Sequence, residues 1–214
     1  MGVEYEWPVG SHMEKGERKN VFRVYDKIAS WFSENREVGL IERNYLDKLI
    51  ALLPYGSNVL DLGCGTGKPI LEYLLSKNLT VTGVDASCEM LKIAKFNYPQ
   101  VEFILQDMRV LNLNKRFNAI IAWHSFFHLE AIDQPAMFKL FEEHLGCNGI
   151  LLFTSGPKNG EAWGMNGGEN LFHASLDQAE YEGLLSKHNF KVLEHVVNDP
   201  DCGYATIWMA QYSS

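Results

Sequence analysis

Residues 58–69, N-V-L-D-L-G-C-G-T-G-K-P, constrain the chain more than any other stretch. Val59, Leu60 and Leu62 form the short apolar run of a parallel strand covered on both faces. Gly63, Gly65 and Gly67 follow. Lacking a Cβ, they let the backbone turn sharply and approach a ligand closely. Pro69 suits a first helical turn, where its missing N–H has no intrahelical partner to lose.

Two ligand classes use a glycine turn between a strand and a helix. A dinucleotide fingerprint reads G-x-G-x-x-G and places the pyrophosphate at the helix N-terminus. Here the third glycine comes one residue early, giving G-x-G-x-G, and Lys68 stands where the dinucleotide motif has glycine. Asp61 ends the strand just ahead of the glycines. A carboxylate there repels a pyrophosphate and suits an ammonium group, so the inferred ligand is a nucleoside bearing an amino acid. The stretch resembles the first motif of class I S-adenosylmethionine (SAM)-dependent methyltransferases, V-L-D-x-G-x-G-x-G. The resemblance, closest to the small-molecule branch of type 11/25, implies S-adenosyl-L-methionine as cofactor and S-adenosyl-L-homocysteine as product.

A length of 214 residues suits one α/β domain, and 46% hydrophobic residues supply a sizeable core. A net charge of −8 argues against a general polyanion binder, because nucleic-acid affinity rests on Lys and Arg. No apolar run reaches membrane-spanning length, and no signal peptide is evident. Cys64, Cys88, Cys147 and Cys202 show no metal-ligand spacing, so no metal is expected; reduced thiols point to the cytoplasm. Gly10-Ser11-His12-Met13 resembles a tag-cleavage scar. Residues 1–12 are therefore read as a tag remnant and 13–214 as a single domain, with lid helices over 20–53 and a core over 58–214.

Asn20 can cap a helix with Val21, Val24, Tyr25, Ile28, Ala29 and Phe32 on one face, broken at Ser33-Glu34-Asn35. A second helix is expected from about Glu37 to Leu53, with Ile41, Tyr45, Leu49 and Leu52 inward. Strands then alternate with helices: Val81–Val84 ending in Asp85, Val101–Leu105, Phe117–Trp123 and Ile150–Thr154. Ser87 caps a helix over 89–97, and Asp133 with Pro135 opens another to Leu145. Gly156 to Asn170 is a glycine-rich loop, and Ser175 with Gln178 has the capping-box spacing of a helix to His188. Lys191–Val197 and Tyr204–Gln211 close the chain as a hairpin, as the class I methyltransferase fold does. The expected architecture is α/β: a Rossmann-like, doubly wound seven-stranded sheet, mostly parallel, with that antiparallel hairpin and helices on both faces.

Asp61, Asp85 and Asp107 all fall at strand C-termini, where open α/β sheets bind ligands. Asp85 follows Gly63 at about the spacing of a ribose-binding acid, and Asp107 could accept from an adenine amino group. The resemblance adds Tyr25, Cys64, Ala86, Met90, Gln106, Met108, Ala122 and Trp123 to Asp61, Gly63, Gly65, Gly67, Asp85 and Asp107 as cofactor contacts. Tyr25 lies in Y-D-x-x-A-x-x-F, which looks like the lid segment of the small-molecule branch. Trp31, Phe127 and Trp163 are assigned to the acceptor pocket. His128, His124 and His173 are the candidate bases, each weighed against a role in wall packing.

The fourth strand lacks the Asn/Asp-Pro-Pro-aromatic and Pro-Cys patterns of nucleic-acid methyltransferases. With the negative charge, this favours a small-molecule acceptor, no nucleic acid, no membrane, and a monomer or homodimer. The rivals are a non-catalytic SAM or S-adenosylhomocysteine binder, a protein or RNA methyltransferase and a dinucleotide oxidoreductase.

Overall fold

The computed structural model describes residues 17–35 and 39–213. The tag-like segment and Glu37 lie outside them. The helices are α1 (Phe22–Asn35), α2 (Arg43–Leu52), α3 (Ile70–Ser76), α4 (Cys88–Asn97), α5 (Gln134–His144) and α6 (Gln178–Lys187). The strands are β1 (Asn58–Leu62), β2 (Thr80–Asp85), β3 (Glu102–Leu105), β4 (Phe117–Ala122), β5 (Leu145–Ser155), β6 (Gly160–Asn166), β7 (Glu169–Ser175), β8 (Phe190–Asp199) and β9 (Ala205–Tyr212).

Seven strands form one sheet in the order β3-β2-β1-β4-β5-β9-β8. β3, β2, β1, β4 and β5 run parallel, and β9 is antiparallel to both of its neighbours. The expected seven-stranded architecture is thus present. Successive residues of a strand face opposite sides of the sheet, and the core divides accordingly. Val59, Ala119 and Ile121 pack with α2, α3 and α4. Leu60, Leu62, Ile120 and Ala122 pack with α5 and α6 on the other face. The order reverses between β1 and β4, so a crevice opens beyond their carboxyl ends.

Several local expectations are corrected. Helix α1 continues through Asn35. Asn20 does not spend its side chain on the helix: its Oδ1 accepts from Arg109 Nη2 at 3.0 Å. Helix α2 starts at Arg43 and buries Tyr45, Leu46 and Leu49, leaving Ile41 and Leu52 exposed. Leu46 shares the buried face with Tyr45 and Leu49, at helical spacing. The glycine-rich stretch is not a loop but a separate hairpin of β6 and β7. Gly167 and Gly168, both at positive φ, make its two-residue turn. Ser175 is a buried residue of β7; α6 is capped by Asp177, in a reciprocal capping box with Glu180. Leu171, Phe172 and Ala174 of β7 pack on Val21 and Val24, so the hairpin and α1 share a small core of their own. Among the described residues, no helix is long and apolar enough to cross a membrane.

Candidate active site

A cavity of about 300 Å³ lies over the carboxyl ends of β1, β2, β3 and β4, roofed by α1 and the hairpin. It takes in every proposed cofactor contact except Ala122, and all three candidate histidines with Phe127. Ala122 is wholly buried in the α5–α6 side of the core. Trp163 packs edge-on against Phe172, 5.2 Å between centroids, outside the cavity. Trp31 is half-exposed on the outer side of α1, against the hairpin turn, where a Cβ on Gly167 would meet its ring at 3.0 Å.

The three glycines do different work. A Cβ at Gly63 would fall 2.2 Å from Ser125 Cβ, and one at Gly67 would fall 2.9 Å from the Tyr98 ring. Both positions are closed by the protein itself. Nothing lies within 4 Å of a Cβ built on Gly65, whose φ is +53°. Here the missing side chain leaves open space in the cavity wall for a ligand. The thiol of Cys64 is turned away into the core, toward Gly83, and burial pushes its pKa well up.

Asp85 is the anchor of this half. Its Oδ2 accepts from Gly65 N and its Oδ1 from Ser87 N, both at 2.8 Å. Burial raises its pKa, against the backbone N–H groups of Ser87, Gly65 and Ala86. A carboxylate offers about four lone-pair positions, so acceptor capacity remains for ligand hydroxyls. Asp107 is differently placed. Burial alone would raise its pKa, but the hydrogen bonds and charge of Arg109 bring it below the ordinary value. Arg109 Nε and Nη2 both reach its carboxylate, at 3.0 and 2.5 Å. The same guanidinium donates to the Lys19 carbonyl at 2.9 Å and to Asn20, tying the start of the lid to the end of β3. Asp26 of α1 makes a second tie: its Oδ1 accepts from Ser87 Oγ at 2.6 Å and Glu89 N at 3.1 Å. Neither Arg109 nor Asp26 stood out in the sequence. The signal available was Asp26 beside Tyr25 in Y-D-x-x-A-x-x-F; Arg109 carried none.

The other half of the cavity is built of rings. His124 has φ +50°, a left-handed conformation unusual for a residue with a side chain, and its N–H is held by Thr154 Oγ1 at 2.8 Å. The next turn, Phe126–His128, carries Phe127 and His128 inward. His128 Nδ1 lies 2.8 Å from the Phe172 carbonyl oxygen, which can only accept, so Nδ1 carries the proton. Nε2 then accepts from the Tyr25 hydroxyl at 2.8 Å. Burial, reinforced by His173, depresses the His128 pKa to about 3, and burial takes His173 to about 4. Both rings are therefore neutral. His128 and His173 lie 4.8 Å apart, and Gly164 makes room for His173. Among the described residues no cluster of His, Cys, Asp and Glu could hold a metal ion.

The sequence pattern of the methyltransferase-domain family matches residues 32–195. A putative methyltransferase of Invertebrate iridescent virus 6 is 34% identical over 125 residues, which is 55% of this chain and 45% of the viral protein. The chain thus spans under half the length of that relative. Among solved structures, a 1,6-didemethyltoxoflavin-N1-methyltransferase of Burkholderia thailandensis superposes with a TM-score of 0.70 at 19% identity. The match covers 97% of this chain and 94% of that one. An amino pentose methyltransferase of Micromonospora echinaspora, solved with bound SAM, superposes at 0.69 with 17% identity, over 94% of this chain and 100% of that one. With the strand order, the G-x-G-x-G turn and the cavity above it, these matches establish that the chain belongs to the methyltransferase-domain family and has the class I SAM-dependent methyltransferase fold.

Proposed function

We propose that the cavity binds S-adenosyl-L-methionine over β1–β3 and transfers its methyl group to a small-molecule acceptor held over β4 and the hairpin. The observation that carries the reading is Asp85, a buried carboxylate with spare acceptor capacity, facing the open space left by Gly65. The residues present fit such a cofactor. Asp85 would accept from a ribose diol, and Asp107 stands at the adenine end. Asp61 lies at the end of β1 for an ammonium group, and the aromatic rings attract a sulfonium. When bound, that cofactor supplies a methyl activated by positive sulfur, which leaves as a neutral thioether keeping the bond's electron pair. This chain's task is alignment, exclusion of water and removal of the acceptor proton.

Tyr25 and His128 divide that last task. The hydroxyl of Tyr25 faces the cavity and donates to His128 Nε2, so a proton given up by the acceptor passes through the phenol to the imidazole. Helix α1 acts as a lid, latched by Arg109, Asp26 and Tyr25, whereas α2, expected in the same lid, packs in the core against the sheet. The charge of −8 supports a small-molecule acceptor over a nucleic acid, and four free cysteines support a cytoplasmic setting.

Calorimetry with SAM, S-adenosylhomocysteine and NAD tests the reading. Binding of the first two without NAD is expected; NAD binding without the others would overturn it. A binder lacking catalysis would hold labelled SAM and transfer methyl to nothing in a broad acceptor screen.

A further inference from the structure

We propose that the acceptor is an uncharged, planar molecule that gives up an O–H or N–H proton as it is methylated. The inference rests on the methyl-transfer reading and names the substrate class for the same site. It starts from how charge is distributed in the cavity. Asp61, Lys68, Asp85, Asp107 and Arg109 all belong to the ends of β1, β2 and β3 or to the turns just after them. Lys19 also lines the cavity, but its carbonyl is bound to Arg109, which sets its backbone beside Asp107. Charge is thus gathered on the cofactor side.

The acceptor side has a different composition. Rings follow one another around it in unbroken contact. His124 meets Phe127 at 5.6 Å between centroids, and Phe127 meets His173 at 5.0 Å. His173 meets His128 at 4.8 Å, His128 meets Tyr25 at 5.3 Å, and Tyr25 meets Phe32 at 5.7 Å. All six line the cavity, and among the described residues no Asp, Glu, Lys or Arg side chain stands in that run. Its polar groups are a phenol, imidazoles and the amide of Asn166.

An anionic acceptor would be stripped of water there with no cation to pair it, which is costly. A cationic amine is the stronger rival, since aromatic faces attract cations. The lining weighs against it, because no carboxylate stands in that run to pair an ammonium as it leaves water. A neutral planar acceptor suits both features. Its faces stack on the rings, and its O–H or N–H donates to the Tyr25 hydroxyl oxygen, whose own proton is turned to His128. In the reaction its heteroatom gains the carbon bond and loses its proton, which passes through Tyr25 to Nε2 of His128 and then to solvent.

Phenol, benzoate and benzylamine at pH 7 are similar in shape and differ in charge. Each is titrated into the full-length protein saturated with S-adenosylhomocysteine, and the histidine ring signals are followed by NMR. Phenol should shift the signals of His128 and His173, with affinity at least tenfold above that of benzoate or benzylammonium. Equal or tighter binding of either charged probe overturns the proposal. So does failure of all three to move those signals while S-adenosylhomocysteine is bound. Absence of S-adenosylhomocysteine binding itself would instead sink the methyl-transfer reading.

Discussion

Replacing Asp85 by alanine tests the cofactor half most directly. If the carboxylate accepts two ribose hydroxyls, two charge-assisted hydrogen bonds disappear. That predicts a loss of about 2–4 kcal/mol in cofactor binding. A tenfold change in affinity corresponds to about 1.4 kcal/mol, so the dissociation constant of S-adenosylhomocysteine should rise roughly 30- to 1000-fold. Judged from sequence alone, such a change should hardly alter fold stability. The structure revises this, because Asp85 also accepts from Gly65 N and Ser87 N. Leaving those donors without their acceptor costs about 1–3 kcal/mol, or roughly 2–10 °C in melting temperature for a chain of this size. Asp85→Asn separates the effects. It keeps the volume and one oxygen but turns an NH₂ group toward either Gly65 N or Ser87 N, so stability should stay impaired. Titration calorimetry reads the affinity and differential scanning calorimetry the stability. An unchanged dissociation constant for Asp85→Ala would refute the ribose assignment, whatever happened to the melting temperature.

Gly63→Ala should cost about 2–4 kcal/mol of stability, from the clash with Ser125 and the strained φ of +81°, as read by urea denaturation. Gly65→Ala should cost about 1 kcal/mol of stability yet weaken S-adenosylhomocysteine, because its new methyl enters open ligand space. Once an acceptor is in hand, Tyr25→Phe and His128→Ala should each lower kcat by roughly 10²–10⁴-fold with cofactor affinity retained. A rise confined to the acceptor KM would reduce both residues to wall packing. His128 and His173 have folded pKa values below the unfolded 6.5, so their contribution to stability is complete above pH 6.5. It should fall progressively as pH drops from 6.5 toward 3 for His128 and toward 4 for His173. His128→Asn should flatten the melting-temperature profile in that window, and an unchanged slope would contradict the burial argument.

The sequence by itself determined the sheet and the crevice at its carboxyl edge. An apolar run, a glycine turn and acids at strand ends are local patterns, and the rules linking them to a parallel sheet and its crevice depend on chain direction alone. The hairpin was also within reach, because Gly167-Gly168 is the two-residue turn signal between segments that can pair. Its glycine content masked the inward pattern of Leu171, Phe172 and Ala174. Tertiary structure alone decided the rest. Asp107 looks like a free carboxylate in sequence, but in space it is held by Arg109 two residues on, which also grips Lys19 and Asn20 from the far end of the chain. His128 could be a base or a wall until its ring was seen between the Phe172 carbonyl and the Tyr25 hydroxyl, 44 and 103 residues away. Trp31 and Trp163 have the right residue type for an acceptor pocket but face the wrong way. Periodicity tells which side of an element is apolar; what covers that side depends on packing between segments distant in sequence.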